Sequence, residues 1–218
     1  MNPSFILGVL ISISTQTESN IKSNISCQSP CIMAIQAPMV IEVNDFTEDS
    51  SRKFEEQMNA AQQTGQTIIP IMIDSYGGGV YSLLRMVDVI QNSRVPVATI
   101  VTGKAMSCGA VLYTMGKEGY RFAGKQATIL IHDVSAGAEG KVPEMKVTVQ
   151  EAERLNNLIF SLMAKNTGHP YDFFMKILKG KSNTDWFIPI DEAKSLNIVN
   201  KIGVPELKTR VDVKYILE

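Results

Sequence analysis

The sequence predicts an α/β fold with a largely parallel sheet, and two features say so. Apolar, β-branched runs alternate along the chain with segments whose apolar positions recur at helical spacing, the pattern of successive strand-helix-strand units. Two of those runs, residues 67–74 (TIIPIMID) and 95–101 (VPVATIV), are apolar at consecutive rather than alternate positions, which suits strands covered on both faces. With 218 residues, 44% of them hydrophobic, the chain can bury one sizeable core.

Residues 1–38 read apart from the rest. The apolar run at residues 5–13 (FILGVLISI) is too short to span a bilayer, which takes about 20 residues. No Lys or Arg precedes it as in a signal peptide, so a leader, a removable propeptide or a packing arm is expected. Residues 14–30, rich in Ser, Asn, Gln and Thr, follow as a linker.

Residues 39–218 have the pattern of a folded domain. A short strand at 39–43 comes first. Asp45, Thr47 and Asp49 then offer N-cap chemistry to a helix over 48–63, in which Phe54, Met58 and Ala61 share a face and which Gly65 stops. The strand at 67–74 leads into a loop, Asp74-Ser75-Tyr76-Gly77-Gly78-Gly79. The next helix lines one face with Val80, Leu83, Leu84, Val87 and Ile90 and ends before Pro96. After the strand at 95–101 come a turn at Ser107, a helix through 110–115, and short strands at 120–123 and 128–132.

Residues 134–143 are extended or flexible, being rich in small side chains, and one long helix covers 144–167. Its apolar stripe is Val149, Ala152, Leu155, Ile159, Leu162 and Met163. At ~1.5 Å per residue that helix is roughly 35 Å long and is expected to project from so small a domain. Gly168 ends it. A helix at 171–178, a polar loop at 180–184 leading into Asp185-Trp186-Phe187, a helix at 191–196 and a strand at 198–202 complete the order, and residues 211–216 alternate like an edge strand.

Composition narrows the chemistry. Net charge is −1 and Lys and Arg form no stripe, so the electrostatic footprint of a nucleic-acid binder is missing. The three cysteines, Cys27, Cys31 and Cys108, have no repeated spacing, and the only histidines are His132 and His169. Neither a metal site, a cofactor nor a disulfide framework is expected, and a reducing cytoplasm, away from membranes, fits.

Four features could carry acyl-transfer chemistry. Ser107 lies where an apolar strand gives way to a helix, between small residues, which holds a hydroxyl clear of the chain above free helix N–H groups. A serine hydroxyl is a poor nucleophile at neutral pH; a neutral imidazole must take its proton, and a carboxylate must fix that imidazole's tautomer. His132 closes an apolar strand, and Asp185 sits beside the only tryptophan. The N–H groups of Gly78 and Cys108 would hold the oxyanion, with glycine needed at position 78 so that a carbonyl can approach the backbone. Each feature has a plainer reading when taken alone: a turn serine, a core histidine, a turn-forming aspartate, a glycine turn. A phosphate cradle at Gly77 to Gly79 lacks any completing nucleotide motif. Lys104 or Lys141 would allow a Ser-Lys dyad, which the histidine makes unnecessary. His169, before Pro170, is expected in solvent, and the Cys108 side chain is expected buried rather than reactive.

In order, Ile73-Asp74-Ser75-Tyr76-Gly77-Gly78-Gly79-Val80, Gly103-Lys104-Ala105-Met106-Ser107-Cys108-Gly109-Ala110, Leu130-Ile131-His132 and Asp185-Trp186-Phe187 resemble the signature blocks of the proteolytic subunit of the Clp protease. The intervals Gly78 to Ser107, Ser107 to His132 and His132 to Gly168 match that family without gaps, and the resemblance runs from about Met39 to Ile202. It implies a crotonase-like fold of repeated ββα units, with a handle region at about 134–167. It implies a self-compartmentalising serine endopeptidase that hydrolyses unfolded polypeptides, with Ser107 as nucleophile, His132 as base, Asp185 as third member, and Gly78 and Cys108 as oxyanion donors. Residues 136–140, Ala136 and Gly137 among them, would pair as a strand with substrate. Stacked heptameric rings follow from the same resemblance, as does an AAA+ unfoldase partner that alone would use ATP.

The chain departs from the family at several points. Tyr76 replaces a proline, Asp133 replaces the glutamine or asparagine after the histidine, and Asp185 lies a few residues farther from Gly168, which leaves Asp172 and Asp191 as competitors. Upstream of Met39 the chain does not resemble the family's axial-pore segment, which helps bind the unfoldase. Such departures fit a divergent, even virus-encoded, member. They leave two further readings: a catalytically silent ring subunit, and a crotonase-type hydratase or isomerase acting on thioesters.

Overall fold

The computed structural model describes residues 37–137, 139–182 and 184–209. The runs at 5–13, 14–30 and 211–216, with Cys27 and Cys31, lie outside the described residues. The unit Pro38–Glu218 contains, in order, β1 (Ile41–Val43), α1 (Glu48–Ala61), β2 (Ile69–Ser75), α2 (Val80–Gln91), β3 (Val97–Met106), α3 (Cys108–Thr114), β4 (Arg121–Ala123), β5 (Thr128–Ile131), α4 (Val142–Thr167), α5 (Phe173–Gly180), β6 (Trp186–Ile188), α6 (Ile190–Ser195) and β7 (Lys201–Ile202).

The α/β prediction holds. The strands run β1-β2-β3-β4-β7, all parallel, with β5 parallel to β3 and β6 antiparallel to β5. Strand β3 is longer than the sequence suggested because it serves two partners on one side: Thr99 to Val101 pair with β4, and Lys104 to Met106 pair with β5. The sheet forks between them. At the fork Asp74 accepts the Lys104 N–H at 3.2 Å and its ammonium at 2.8 Å, and a Cβ at Gly103 would lie 2.7 Å from the Asp74 carboxylate. This pairing holds the Asp74 carboxyl below its ordinary range, the hydrogen bond from Lys104 being the main cause. Because β3 continues to Met106, the turn expected across residues 103–110 is confined to Ser107.

Local chemistry accounts for the helices. At the start of α1 the Thr47 Oγ1 accepts the Ser50 N–H (3.1 Å) and the Ser50 Oγ accepts the Thr47 N–H (2.8 Å), so Thr47 is the cap among the three residues the sequence offered. Phe54, Met58 and Ala61 of α1 and Leu83, Met86 and Val87 of α2 pack on Ile69, Ile71, Ile73 and Val101 of the sheet. Each large side chain so buried contributes roughly 1.5–3 kcal/mol.

Helix α4 has 26 residues, about 39 Å at the usual rise, and its burial changes along its length. Leu155, Ile159, Phe160 and Met163 are in the core, whereas Val142, Val147 and Val149 are exposed, so its first half stands clear of the domain. Gly168 ends α4 in the left-handed conformation at φ 77°. His169 is not in solvent as expected: its ring stacks on Phe173 at 3.8 Å, and its Nε2 lies 2.8 Å from the Leu196 carbonyl.

The far edge of the sheet is held by a buried cation. Arg121, with no exposed surface, donates to the carbonyls of Ile198 (3.0 Å), Gly116 (3.0 Å) and Asn197 (2.8 Å) and to the Glu118 carboxylate (2.8 Å). Replacing it leaves three carbonyls without donors. Arg121→Met is expected to lower unfolding stability by about 3 kcal/mol in urea denaturation, whereas Arg52→Met on exposed α1 changes it by less than about 0.5 kcal/mol.

Candidate active site

Strand register brings the site together. In the ladders, Ser75 pairs with Ala105 and Met106 with Leu130, so Ser107, one step beyond, emerges between the glycine loop after β2 and the end of β5. Its N–H is fixed on the Leu130 carbonyl at 2.9 Å. The antiparallel β5–β6 pairing sets Ile131 opposite Trp186, and one further step places His132 opposite Asp185. The distance from His132 Nδ1 to Asp185 Oδ1 is 3.8 Å, about 1 Å beyond a hydrogen bond but close enough for Coulombic attraction.

Ser107 sits at φ 55°, ψ −121°, a conformation that costs a residue other than glycine about 1–3 kcal/mol. It lies at the strand-to-helix junction that the sequence suggested, and the strain is seen only in the structure. Its carbonyl accepts the N–H groups of Ala110 (3.0 Å) and Val111 (3.2 Å), which opens α3. The Cys108 N–H, in the first turn, donates to nothing among the described residues, and neither does that of Gly78.

The structure adds a reason for glycine at position 78 to the one expected. A Cβ there would lie 2.9 Å from both the Phe46 Cβ and its carbonyl oxygen, and φ is 151°, so what excludes a side chain is Phe46. Gly77 is the glycine that packs on the serine: its φ is 112° and a Cβ would lie 2.7 Å from the Ser107 Cβ. The loop is tied down by the Gly77 N–H on the Ser75 Oγ (3.1 Å) and the Gly79 N–H on the Phe46 carbonyl (2.8 Å). Cys108 is buried as expected, yet its Sγ faces this loop and donates to the Gly78 carbonyl at 3.2 Å. Burial pushes the thiol up to about 11, so it is protonated at neutral pH.

Gly78, Ser107, Cys108, His132 and Ser135 line one cavity of about 170 Å³ whose apolar wall comes from Val111, Ile131, Val134, Ile159 and Phe160. A larger groove of about 610 Å³ runs between α1 and α2 past Tyr81 and Arg85 and holds none of these residues. Asp185 is 59% exposed, against 29% for the His132 side chain, and is not among the residues lining the cavity.

The other residues that the sequence raised lie elsewhere or differ in form. Asp172 pairs with Lys176 at 2.7 Å, and Asp191 opens α6. The Lys104 ammonium is engaged by Asp74 and lies 4.3 Å from the Tyr76 ring, while Lys141 precedes α4 and is exposed. Ala136 and Gly137 are exposed and belong to no strand, and no backbone among the described residues pairs with them. Phe46, Ser75 and Asn156 were missed: Asn156 of α4 accepts the Val134 N–H at 2.7 Å and so fixes the segment after His132. Ser75 stood inside the first signature block, but nothing in sequence pairs Phe46 or Asn156 with residues so distant. Among the described residues no cluster of His, Cys, Asp and Glu could hold a metal ion, and no helix is long and apolar enough to cross a membrane.

A mostly parallel α/β domain in which a hydroxyl on a strained corner shares one cavity with an imidazole and free N–H groups defines the class. Within it, the chain belongs to the Clp protease family, whose model matches residues 22–206, and is therefore a peptidase-family domain with that family's fold. The match begins upstream of Met39, so residues 22–38, which looked unlike the family, are part of the resemblance. Gly77→Ala is expected to displace Ser107 and to slow its modification by a fluorophosphonate more than tenfold. Intact-mass kinetics on the purified variant would measure this.

Proposed function

We propose that this domain is a self-compartmentalising serine endopeptidase that cleaves unfolded polypeptides through an acyl-enzyme. The observation that supports the reading best is the convergence of Ser107, His132 and two undonated N–H groups on one small, largely apolar cavity. Ser107 Oγ attacks the peptide carbonyl while His132 Nε2 accepts its proton; Asp185, on the Nδ1 side, favours the Nδ1–H tautomer and the imidazolium. The N–H groups of Gly78 and Cys108 hold the tetrahedral oxyanion. His132 then protonates the departing amine, and a water deprotonated by the same imidazole hydrolyses the ester. Val111, Ile159 and Phe160 give the cavity room for an apolar side chain next to the scissile bond. The exposed backbone around Ala136 and Gly137 has no partner strand among the described residues, which supports its pairing with an extended substrate.

The 3.8 Å gap between His132 and Asp185 favours the catalytically silent subunit as the second reading. An exposed carboxylate at the start of a three-residue strand can close that gap by side-chain rotation, so the active reading stands first. The crotonase-type reading has no observation in its favour.

The exposed valines of α4 support its use as a handle between rings, which we propose are stacked heptamers. We also propose that the enzyme works in the cytoplasm without a cofactor of its own, and that ATP enters only through an AAA+ unfoldase.

Wild-type Ser107 is expected to be labelled by a fluorophosphonate, and Ser107→Ala or His132→Ala to abolish labelling. Asp185→Asn should lower kcat by a hundredfold or more, roughly, while Asp172→Asn and Asp191→Asn leave it within about twofold. Because a protonated imidazole cannot accept a proton, kcat/KM for a short peptide should fall about tenfold per pH unit on the acid side; a flat profile would remove His132 as base. An assembled wild type that resists labelling would select the silent subunit. Sedimentation velocity should show ring-sized particles, and a monomer at high concentration would refute the compartment.

A further inference from the structure

The two N–H groups proposed to bind the oxyanion come from segments 30 residues apart, and one of those segments is three glycines in a row. Gly77 (φ 112°) and Gly78 (φ 151°) occupy backbone regions open to glycine, where a peptide plane turns over at low cost. Something must hold the loop if its N–H is to keep one direction. Gly77 is anchored through its N–H on Ser75. The peptide joining Gly78 to Gly79 is held from both sides: Phe46 accepts its N–H at 2.8 Å, and the Cys108 Sγ donates to its carbonyl at 3.2 Å. The intervening peptide, which carries the Gly78 N–H, is the one left with no acceptor among the described residues.

We infer that the Cys108 side chain is a positioning residue for the oxyanion site: its S–H, bonded to the Gly78 carbonyl, sets the orientation of the Gly78 N–H relative to the N–H of Cys108 itself. The inference rests on the acyl-transfer reading above and adds to it a role for the thiol. Cys108 adjoins both donors, belonging to one and touching the other. The thiol stays protonated, which a donor requires and a nucleophile does not. Its Sγ is directed at a backbone oxygen, with the Ser107 side chain also in reach, rather than at a disulfide partner or open solvent. No atom is transferred; the thiol acts only by restraining the loop.

The test compares full-length wild type with Cys108→Ala, Cys108→Val and Cys108→Ser, each checked for assembly and Tm. Alanine and valine remove the donor, the second without leaving a cavity; serine restores a hydroxyl donor. The readouts are kcat and KM for a short peptide and the affinity of a peptide boronate, which forms an anionic tetrahedral adduct on Ser107. For the alanine and valine variants kcat is expected to fall about tenfold with KM within about twofold, boronate affinity falling in proportion, because the loss is confined to the charged tetrahedral state. Serine should return kcat to within about threefold of wild type. Alanine or valine variants with wild-type kcat and boronate affinity would overturn the inference, as would a serine variant as slow as alanine at equal Tm. A wild type that neither labels nor turns over would overturn the peptidase reading and this inference together, whereas an active wild type indifferent to position 108 overturns this inference alone.

Discussion

Strand register is the constraint on which the site depends. Strand β3 is clamped between β2 and β5, and a shift of one residue on either side would turn every side chain to the opposite face. Ile69, Ile71, Ile73 and Val101 are all buried, and both faces of β2 and β3 are covered, so a slip would put this apolar set against the packing of the opposite face. The core therefore fixes, at no further cost, that Ser107 leaves the sheet beside Gly77 and beside the end of β5. The antiparallel β5–β6 pair extends the same logic to His132 and Asp185, which sit one step past Ile131 and Trp186. Residues far apart in sequence meet because the ladders end together.

The strain at Ser107 follows from that arrangement. An L-residue at φ 55° persists only where its surroundings leave it no alternative. Here the N–H is bound to Leu130, the carbonyl opens α3, and Gly77 presses on the side chain. Among the small residues around Ser107, Gly103 matters as space, since a Cβ there would meet the Asp74 carboxylate. One residue absorbs the whole change from strand to helix.

Periodicity and composition revealed the α/β class, most elements and the placement of Ser107 and His132, because these depend on long, apolar, sequence-local patterns. The extension of β3 to Met106 was hidden because Thr102, Gly103 and Lys104 look like loop residues; the strand resumes its pairing at Lys104 with β5 and at Ala105 with Ser75 of β2. Asp185 drew notice beside the only tryptophan, but nothing local marks Trp186–Ile188 as a strand antiparallel to β5, and that pairing alone puts its carboxylate across from His132. The steric bar at Gly78 was hidden because Phe46, the residue that excludes a side chain there, is 32 positions away and lies between β1 and α1. His169 was misread because a histidine before proline looks like a loop residue until Phe173 supplies a face to stack on.

Helix α4 shows how one element serves both the core and the surface. Its second half packs Ile159 and Phe160 against the cavity, and Asn156 binds the Val134 N–H just past the imidazole, so the helix forms a wall of the site. Its first half offers Val142, Val147 and Val149 to solvent, where a domain with a filled core has no use for them. A rigid rod joined at one end to the segment after His132 and uncovered at the other links the order of the cavity wall to whatever packs on those valines. Burial changes over near Leu155, one residue before Asn156, so the element that would carry assembly and the element that shapes the cavity are the same helix.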